Sequence, residues 1–230
     1  MSAGPTWSTM DNALIIGASG GIGSAISRLL EDRGAKVSTL SRHADGLDIT
    51  DETSVQTHLE RFNETFDLIL VATGVLAADG AKPEKAIREV TASGLLHQFS
   101  VNAIGPMLLL KHSLRLLPKD RRCVFAALSA RVGSIGDNNI GGWHSYRTSK
   151  AALNQLVHGA SIEIGRTHKH AIAVCLHPGT VATSFTANYA GRHKTVAASE
   201  AAANLLAVID GLRTEQSGEF FDFAGKPIVW

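Results

Sequence analysis

A tyrosine and a lysine stand four residues apart in the segment Trp143-His144-Ser145-Tyr146-Arg147-Thr148-Ser149-Lys150. Residues at that spacing share one face of a helix, so a phenol and an ammonium would point the same way. A phenol ordinarily keeps its proton up to about pH 10. A neighbouring cation favours the phenolate and lowers that value. A phenol tuned in this way can give or take a proton near neutrality. The same spacing occurs on many solvated helix surfaces, so the pair gains meaning only from the elements that hold it.

Those elements alternate between short apolar runs and longer amphipathic ones. Strands are expected at Ala13-Leu14-Ile15-Ile16, 36–40, 66–72, 122–128, 171–176 and 219–223, with a very short one at Leu47-Asp48-Ile49. Helices are expected at 22–33, ended by Gly34, at 95–117, at 144–166 and at 199–212, the last capped by Ser199; Thr50 or Asp51 would cap another. This alternation implies an α/β chain, a doubly wound (Rossmann) and mostly parallel sheet of about seven strands with helices on both faces. Neither repeats nor a linker divide it, so residues 1–230 read as one nucleotide-binding domain. Residues 1–10 are expected to be flexible, and 183–198 to cover a substrate.

The turn after the first strand is Gly17-Ala18-Ser19-Gly20-Gly21-Ile22-Gly23. Glycines let the backbone turn tightly and approach a pyrophosphate without a Cβ in the way. The N–H groups and positive dipole end of the following helix then face the phosphates. A strand before it and a helix after it are the context that separates such a motif from an ordinary turn. Gly17, Ser19, Gly21, Ile22 and Gly23 are therefore placed in the cradle. After the second strand an acidic residue would bind the ribose hydroxyl of NAD, whereas this chain has Ser41-Arg42. A guanidinium can pair with a 2′-phosphate and a hydroxyl can donate to it, which favours NADP(H) over NAD(H). Asp48 and Ile49 fall where an adenine would lie; Asp48 could equally be a turn residue.

Composition excludes several classes of function. Apolar residues make up 44% of 230, enough for a large core, and the formal charge of +1 is too balanced for nucleic acid or an anionic membrane. No apolar run approaches the ~20 residues of a membrane span. No secretory signal is visible at the start. Cys123 and Cys175 lie in apolar stretches and read as buried free thiols, which suits a cytoplasmic setting. The histidines are scattered without ligand spacing, so no metal site is expected.

Taken together, the segments resemble the short-chain dehydrogenase/reductase family over nearly the whole chain. Gly17-x-x-x-Gly21-x-Gly23 matches its cofactor turn. Ala72-Thr73-Gly74 stands where the family has Asn-Ala-Gly, and Asn102 matches a helix asparagine that supports the lysine through water. Tyr146-x-x-x-Lys150 matches the catalytic motif. Pro178-Gly179, with Val181 and Thr183 after it, matches the segment that holds the nicotinamide carboxamide. Gly133-Ser134-Ile135, Gly141-Gly142-Trp143 and the tail from Phe221 to Pro227 look like the carbonyl-reductase branch that includes sniffer and the C-factor proteins.

The resemblance implies hydride transfer between a nicotinamide and a carbonyl or alcohol, with Tyr146 as acid/base. Lys150 would hold the nicotinamide ribose, and a homodimer or homotetramer would form through the two long helices. Trp143, His144, Asn139, Phe185 and Tyr189 could line a substrate pocket. Two departures stand out. The family's catalytic serine falls on Ala130, leaving Ser129 as the expected hydroxyl and Ser134 as the alternative. The stretch from Arg42 to Leu47 is too brief for a full third strand to follow easily. A second reading keeps the NADP site but makes the protein a redox sensor or signalling partner with little turnover.

Overall fold

A computed structural model describes residues 10–77, 81–183 and 195–230. Six strands form one sheet: β1 (Asn12–Ile16), β2 (Lys36–Leu40), β3 (Leu68–Val71), β4 (Cys123–Leu128), β5 (Ala171–His177) and β6 (Phe220–Asp222). Their order is β2-β1-β3-β4-β5-β6 and every pair is parallel. Parallel strands need crossover helices, which bury both faces of the sheet. Residues of period two therefore go to opposite layers while both sets are apolar. Leu14, Ile16, Ile69, Val71, Phe125 and Ala127 face one core, and Ala13, Ile15, Leu68, Leu70, Val124 and Ala126 the other.

The first layer packs against α3 (Glu52–Leu59), α5 (Gly105–Ser113) and α6 (His144–Thr167). The second packs against α1 (Gly21–Asp32) and α7 (Ala198–Gly211). Each fully buried Leu, Ile or Phe contributes about 1.5–3 kcal/mol of burial. Cys123 and Cys175 lie in the strands as buried free thiols, and burial pushes both up to about 12.

Three expectations need correction. The sheet has six strands rather than about seven, because Leu47-Asp48-Ile49 is not a strand. The chain after β2 instead forms α2 (Arg42–Asp45). Ser41 caps it, accepting from Ala44 N and donating to Asp45 Oδ2, and Gly46 ends it at φ +77°. That turn consumes the residues a third strand would need. The helix expected from Leu95 starts earlier, as α4 (Ala92–Phe99), with Thr91 as its cap. It then runs through a π turn (Ser100–Ile104) into α5. Ser199 does not cap α7: the cap position is Ala197, without a side-chain bond, and Glu200 lies in the first turn. Elsewhere Asp51 caps α3 through Thr53 N, and Gly34 follows α1 at φ +87°.

Candidate active site

The strand order reverses between β1 and β3, and α/β sheets bind ligands in the crevice at such a point. Gly17 ends β1 there at φ +87°, and a Cβ on it would lie 2.9 Å from the Ala72 carbonyl carbon after β3. Only glycine fits that backbone so close to its neighbour. Gly23 packs on the Gly17 carbonyl. The first bond inside α1 runs from Ser24 N to Gly20 O, 2.9 Å, so the N–H groups of Gly21, Ile22 and Gly23 head the helix without helical acceptors. Ser19 is exposed and, with Ser24, Arg28, Thr39 and Ser41, lines an open pocket of about 270 Å³ between this turn and α2.

The residues expected to meet the adenosine half of a cofactor divide. The Arg42 side chain is exposed and has no hydrogen bond or ion pair among the described residues. Ser41 is buried at the edge of that pocket, and its hydroxyl donates to Asp45 at 3.1 Å. Asp48 behaves as the turn residue: its Oδ1 accepts from Thr50 N (2.9 Å) and Thr50 Oγ1 (2.7 Å). These bonds, with a smaller pull from Arg42, hold its carboxyl below the usual range. Ile49 packs under the start of α5, where a Cβ on Gly105 would meet it at 2.8 Å.

On the opposite side the helices converge. Tyr146 and Lys150 lie on one buried face of α6, 7% and 3% exposed. Lys150 Nζ sits 5.9 Å from the Tyr146 ring centroid and donates to Leu128 O at the end of β4, 2.8 Å. Asn102 lies in the π turn, fully buried. Its amide donates to Val75 O (2.8 Å) and Ser149 Oγ (3.1 Å), and its oxygen accepts from Val75 N (2.9 Å). Both backbone groups of Val75 are thus fixed to α6 through one side chain. Gly74 completes the cluster: a Cβ there would stand 3.2 Å from Asn102 Oδ1 and 3.6 Å from Lys150 Nζ.

Electrostatics at the pair differ from the expectation. Burial, not the neighbouring cation, dominates Tyr146 and pushes its phenol well above the ordinary value. The same burial pulls Lys150 down to about 8. A charged form loses solvation when enclosed, so each group is biased towards neutrality.

After β5, Pro178-Gly179 leads to Thr183, which touches the glycine turn: a Cβ on Gly21 would lie 2.6 Å from Thr183 Cγ2. The glycine turn and the segment after β5 are therefore in direct contact. Val181 is buried and pairs with Val196, so the chain returns beside itself before α7. Phe185, Tyr189 and most of the expected cover at 183–198 lie outside the described residues, as do residues 1–9. Asn139 is exposed and His144 half-buried, while the Trp143 ring meets the Tyr146 ring edge-on at 6.2 Å.

Ala130 occupies the position expected for a serine. Ser129 is buried, and its hydroxyl donates to Asn154 Oδ1 at 2.6 Å, into the interior. Ser134 is also buried and accepts from Asp137 N at 3.1 Å. Asn154 was missed from sequence, although it lies four residues past Lys150 on the same helix. Glu84, which meets the start of α6, was also missed, and no local pattern marks it.

A nicotinamide cofactor fits these residues. Thr73 Oγ1, on the loop after β3, is buried without a hydrogen-bond partner among the described residues. The glycines leave free backbone beside it, and the head of α1 carries no acidic residue. No helix among the described residues is long and apolar enough to cross a membrane.

Comparison with known proteins agrees with this geometry. Residues 17–210 match the family described as enoyl-(acyl carrier protein) reductase. A 1-hydroxy-2-glutathionyl-2-methyl-3-butene dehydrogenase from Rhodococcus sp. (strain AD45) is 33% identical, over 96% of this chain and all of that one. C-signal from Myxococcus xanthus is 34% identical, over 63% of this chain and 84% of its own. Among solved structures, the carbonyl reductase Sniffer of D. melanogaster superposes with a TM-score of 0.82 at 21% identity, covering 96% and 100% of the two chains. An NADPH-bound carbonyl reductase from chicken fatty liver gives 0.80 at 24%, covering 96% and 94%. With the glycine turn at the switch point and Tyr146 and Lys150 above it, the chain belongs to the short-chain dehydrogenase/reductase family of oxidoreductases.

Proposed function

We propose that this chain is an NADP-dependent oxidoreductase that moves a hydride between the nicotinamide and a carbonyl/alcohol pair, with Tyr146 as general acid/base. The observation that carries the reading is the convergence of Tyr146, Lys150, Asn102 and Gly74 beside the crevice that Gly17 and Ala72 form. The whole-length similarity to a dehydrogenase supports an alcohol–carbonyl interconversion. Exposed Leu96, Ile104 and Ile162, on the same long helices, support a homo-oligomer.

The cofactor, when bound, supplies or accepts the hydride at its nicotinamide ring. The chain's own groups do the rest. Gly17, Gly21, Ile22 and Gly23 would receive the pyrophosphate, and Arg42 the 2′-phosphate. Thr73 Oγ1 and the 178–183 segment would meet the nicotinamide half. As a carbonyl carbon gains hydride, its π pair moves onto oxygen, and Tyr146 gives that oxygen its phenolic proton. Burial keeps the phenol protonated, which is the form reduction requires. Lys150, charged below about 8, stabilises the phenolate left behind and holds the ribose. Asn102 fixes the Gly74-Val75 backbone against α6, which keeps Lys150 and the crevice in register.

Replacing Tyr146 by Phe removes the proton donor and leaves the ring. The expected result is a fall in kcat of ~10²–10⁴, the usual worth of a general acid, with NADPH affinity kept. Turnover near that of the unmodified protein would overturn the assignment. A second reading, an NADP-binding sensor, is favoured by Ala130, which offers no hydroxyl to a substrate, and by the commitment of Ser129 to Asn154. A panel of carbonyl compounds followed by NADPH absorbance separates the two. Tight NADPH binding without turnover on any of them selects the sensor.

A further inference from the structure

The helix that carries Tyr146 starts without a cap of its own. Its cap position is Trp143, which has no side-chain oxygen to offer and makes no capping bond. Trp143 is also the one non-glycine residue with positive φ among the described residues, at +51°, after Gly141 and Gly142 at +69° and +64°. A large side chain is disfavoured in that conformation and persists only where its surroundings impose it. One of those surroundings is Glu84, distant in sequence. Its backbone carbonyl accepts from Trp143 N at 2.5 Å. Its carboxylate accepts from Ser145 N at 3.4 Å and from Ser145 Oγ through a very short bond. Glu84 therefore meets donors on the cap residue and the second residue of α6, and Tyr146 is the third.

Gly94 and Gly142 both lie beside this contact. A Cβ on Gly94 of α4 would lie 3.8 Å from Ser145 Oγ and 4.0 Å from Glu84 Oε1, and a Cβ on Gly142 would lie 3.4 Å from Glu84 O. The segment holding Glu84 is itself tied down by Lys85 N, which donates to Glu89 Oε2 at 2.7 Å. Trp143 in turn meets the Tyr146 ring edge-on. One continuous set of contacts thus runs from Glu84 through Trp143 and Ser145 to the phenol.

We infer that Glu84 is a positioning residue for Tyr146: it caps the catalytic helix in place of Trp143 and sets where the phenol stands. The inference rests on the reading of Tyr146 as the proton donor. Misplacing a reacting group by about 1 Å can cost as much as ~10² in rate, so Glu84→Ala is expected to lower kcat by roughly ten- to a hundredfold. NADPH affinity and substrate KM should change little, because neither the glycine turn nor Arg42 touches Glu84. Glu84→Gln keeps an acceptor oxygen at the same reach and should restore most of kcat. Ser145→Ala breaks the same contact from the helix side. Combined with Glu84→Ala it should cost little more than either change alone, since interacting residues are not additive.

The measurement is steady-state kinetics on the best carbonyl of the panel. Rates are normalised to sites that bind NADPH, and melting is followed by circular dichroism. A capping role confined to stability would lower the melting temperature and leave normalised kcat unchanged, and that result overturns the inference. Additive effects of the two alanine changes would overturn it as well. An active Tyr146→Phe variant would instead defeat the underlying reading of the phenol, so the two failures are distinguishable.

Discussion

Lys150 offers a quantitative test that needs no substrate. Its ammonium is enclosed between α6 and the end of β4, and burial lowers it from an ordinary 10.5 to about 8. Between those values the unfolded chain holds a proton that the folded one has released. Stability must then rise with pH across this window and fall as pH drops through 8. At about 1.36 kcal/mol for each tenfold change in proton affinity, the whole window is of the order of 3 kcal/mol. About 1 kcal/mol of this falls between pH 8 and 9. Cys123 and Cys175 work in the opposite sense. Burial raises their thiols to about 12, so their contribution is complete below pH 9 and lost above it.

A Lys150→Met variant isolates the lysine, because it keeps a long apolar stem while removing the titrating group. Urea unfolding of the cofactor-free protein and the variant at pH 7.5, 8, 8.5 and 9 gives a difference curve. With m-values of about 2–3 kcal/mol/M, the midpoint gap should move by a few tenths molar in favour of the unmodified protein between pH 8 and 9. A difference curve that is flat or falls over that interval refutes the argument that burial governs Lys150.

Two further outcomes follow from the cofactor cleft. The Arg42 side chain is exposed and makes no hydrogen bond or ion pair among the described residues. Arg42→Ala should therefore lower kcat/KM for NADPH by about tenfold or more, as expected for a charge-assisted contact of 1.5–3 kcal/mol, and leave NADH unaffected. An unmodified protein that prefers NADH would sink the assignment. Because the Ser129 hydroxyl is spent on Asn154, Ser129→Ala should change stability, by about 1–2 kcal/mol for a lost buried bond, more than kcat. A fall in kcat of a hundredfold at unchanged melting temperature would show that Ser129 polarises the substrate after all.

What was legible in the sequence followed from local rules. Apolar runs bounded by glycine gave β1, β2 and α1 nearly to the residue, and the glycine turn was readable because its strand and helix flank it. The Tyr146–Lys150 pair was readable because helical spacing is fixed. The failures occurred where a side-chain bond overrode the pattern. Ser41 and Asp45 fold residues 42–45 into a helical turn, so no strand follows. The π turn at Ser100–Ile104 has no sequence signature of its own. The response of Tyr146 to its surroundings was misjudged because a one-turn spacing specifies proximity to Lys150 but not enclosure. Glu84 was invisible for a similar reason, since it reaches α6 across 61 residues of chain.

That π turn has a mechanical consequence. Asn102 lies within it and grips Val75 and Ser149, on the side where Lys150 stands. Three residues later Gly105 begins α5 and is wedged against Ile49, below the opposite end of the groove. A π turn carries one residue more than an α turn, so it advances the phase of everything after it by about 100°. That offset lets a single helix press on both ends of the groove from different faces. Removing one residue between 100 and 104 would restore a regular helix and rotate one of the two contacts out of place. The chain thus uses one rod as a gauge that fixes the span between the two ends of its groove.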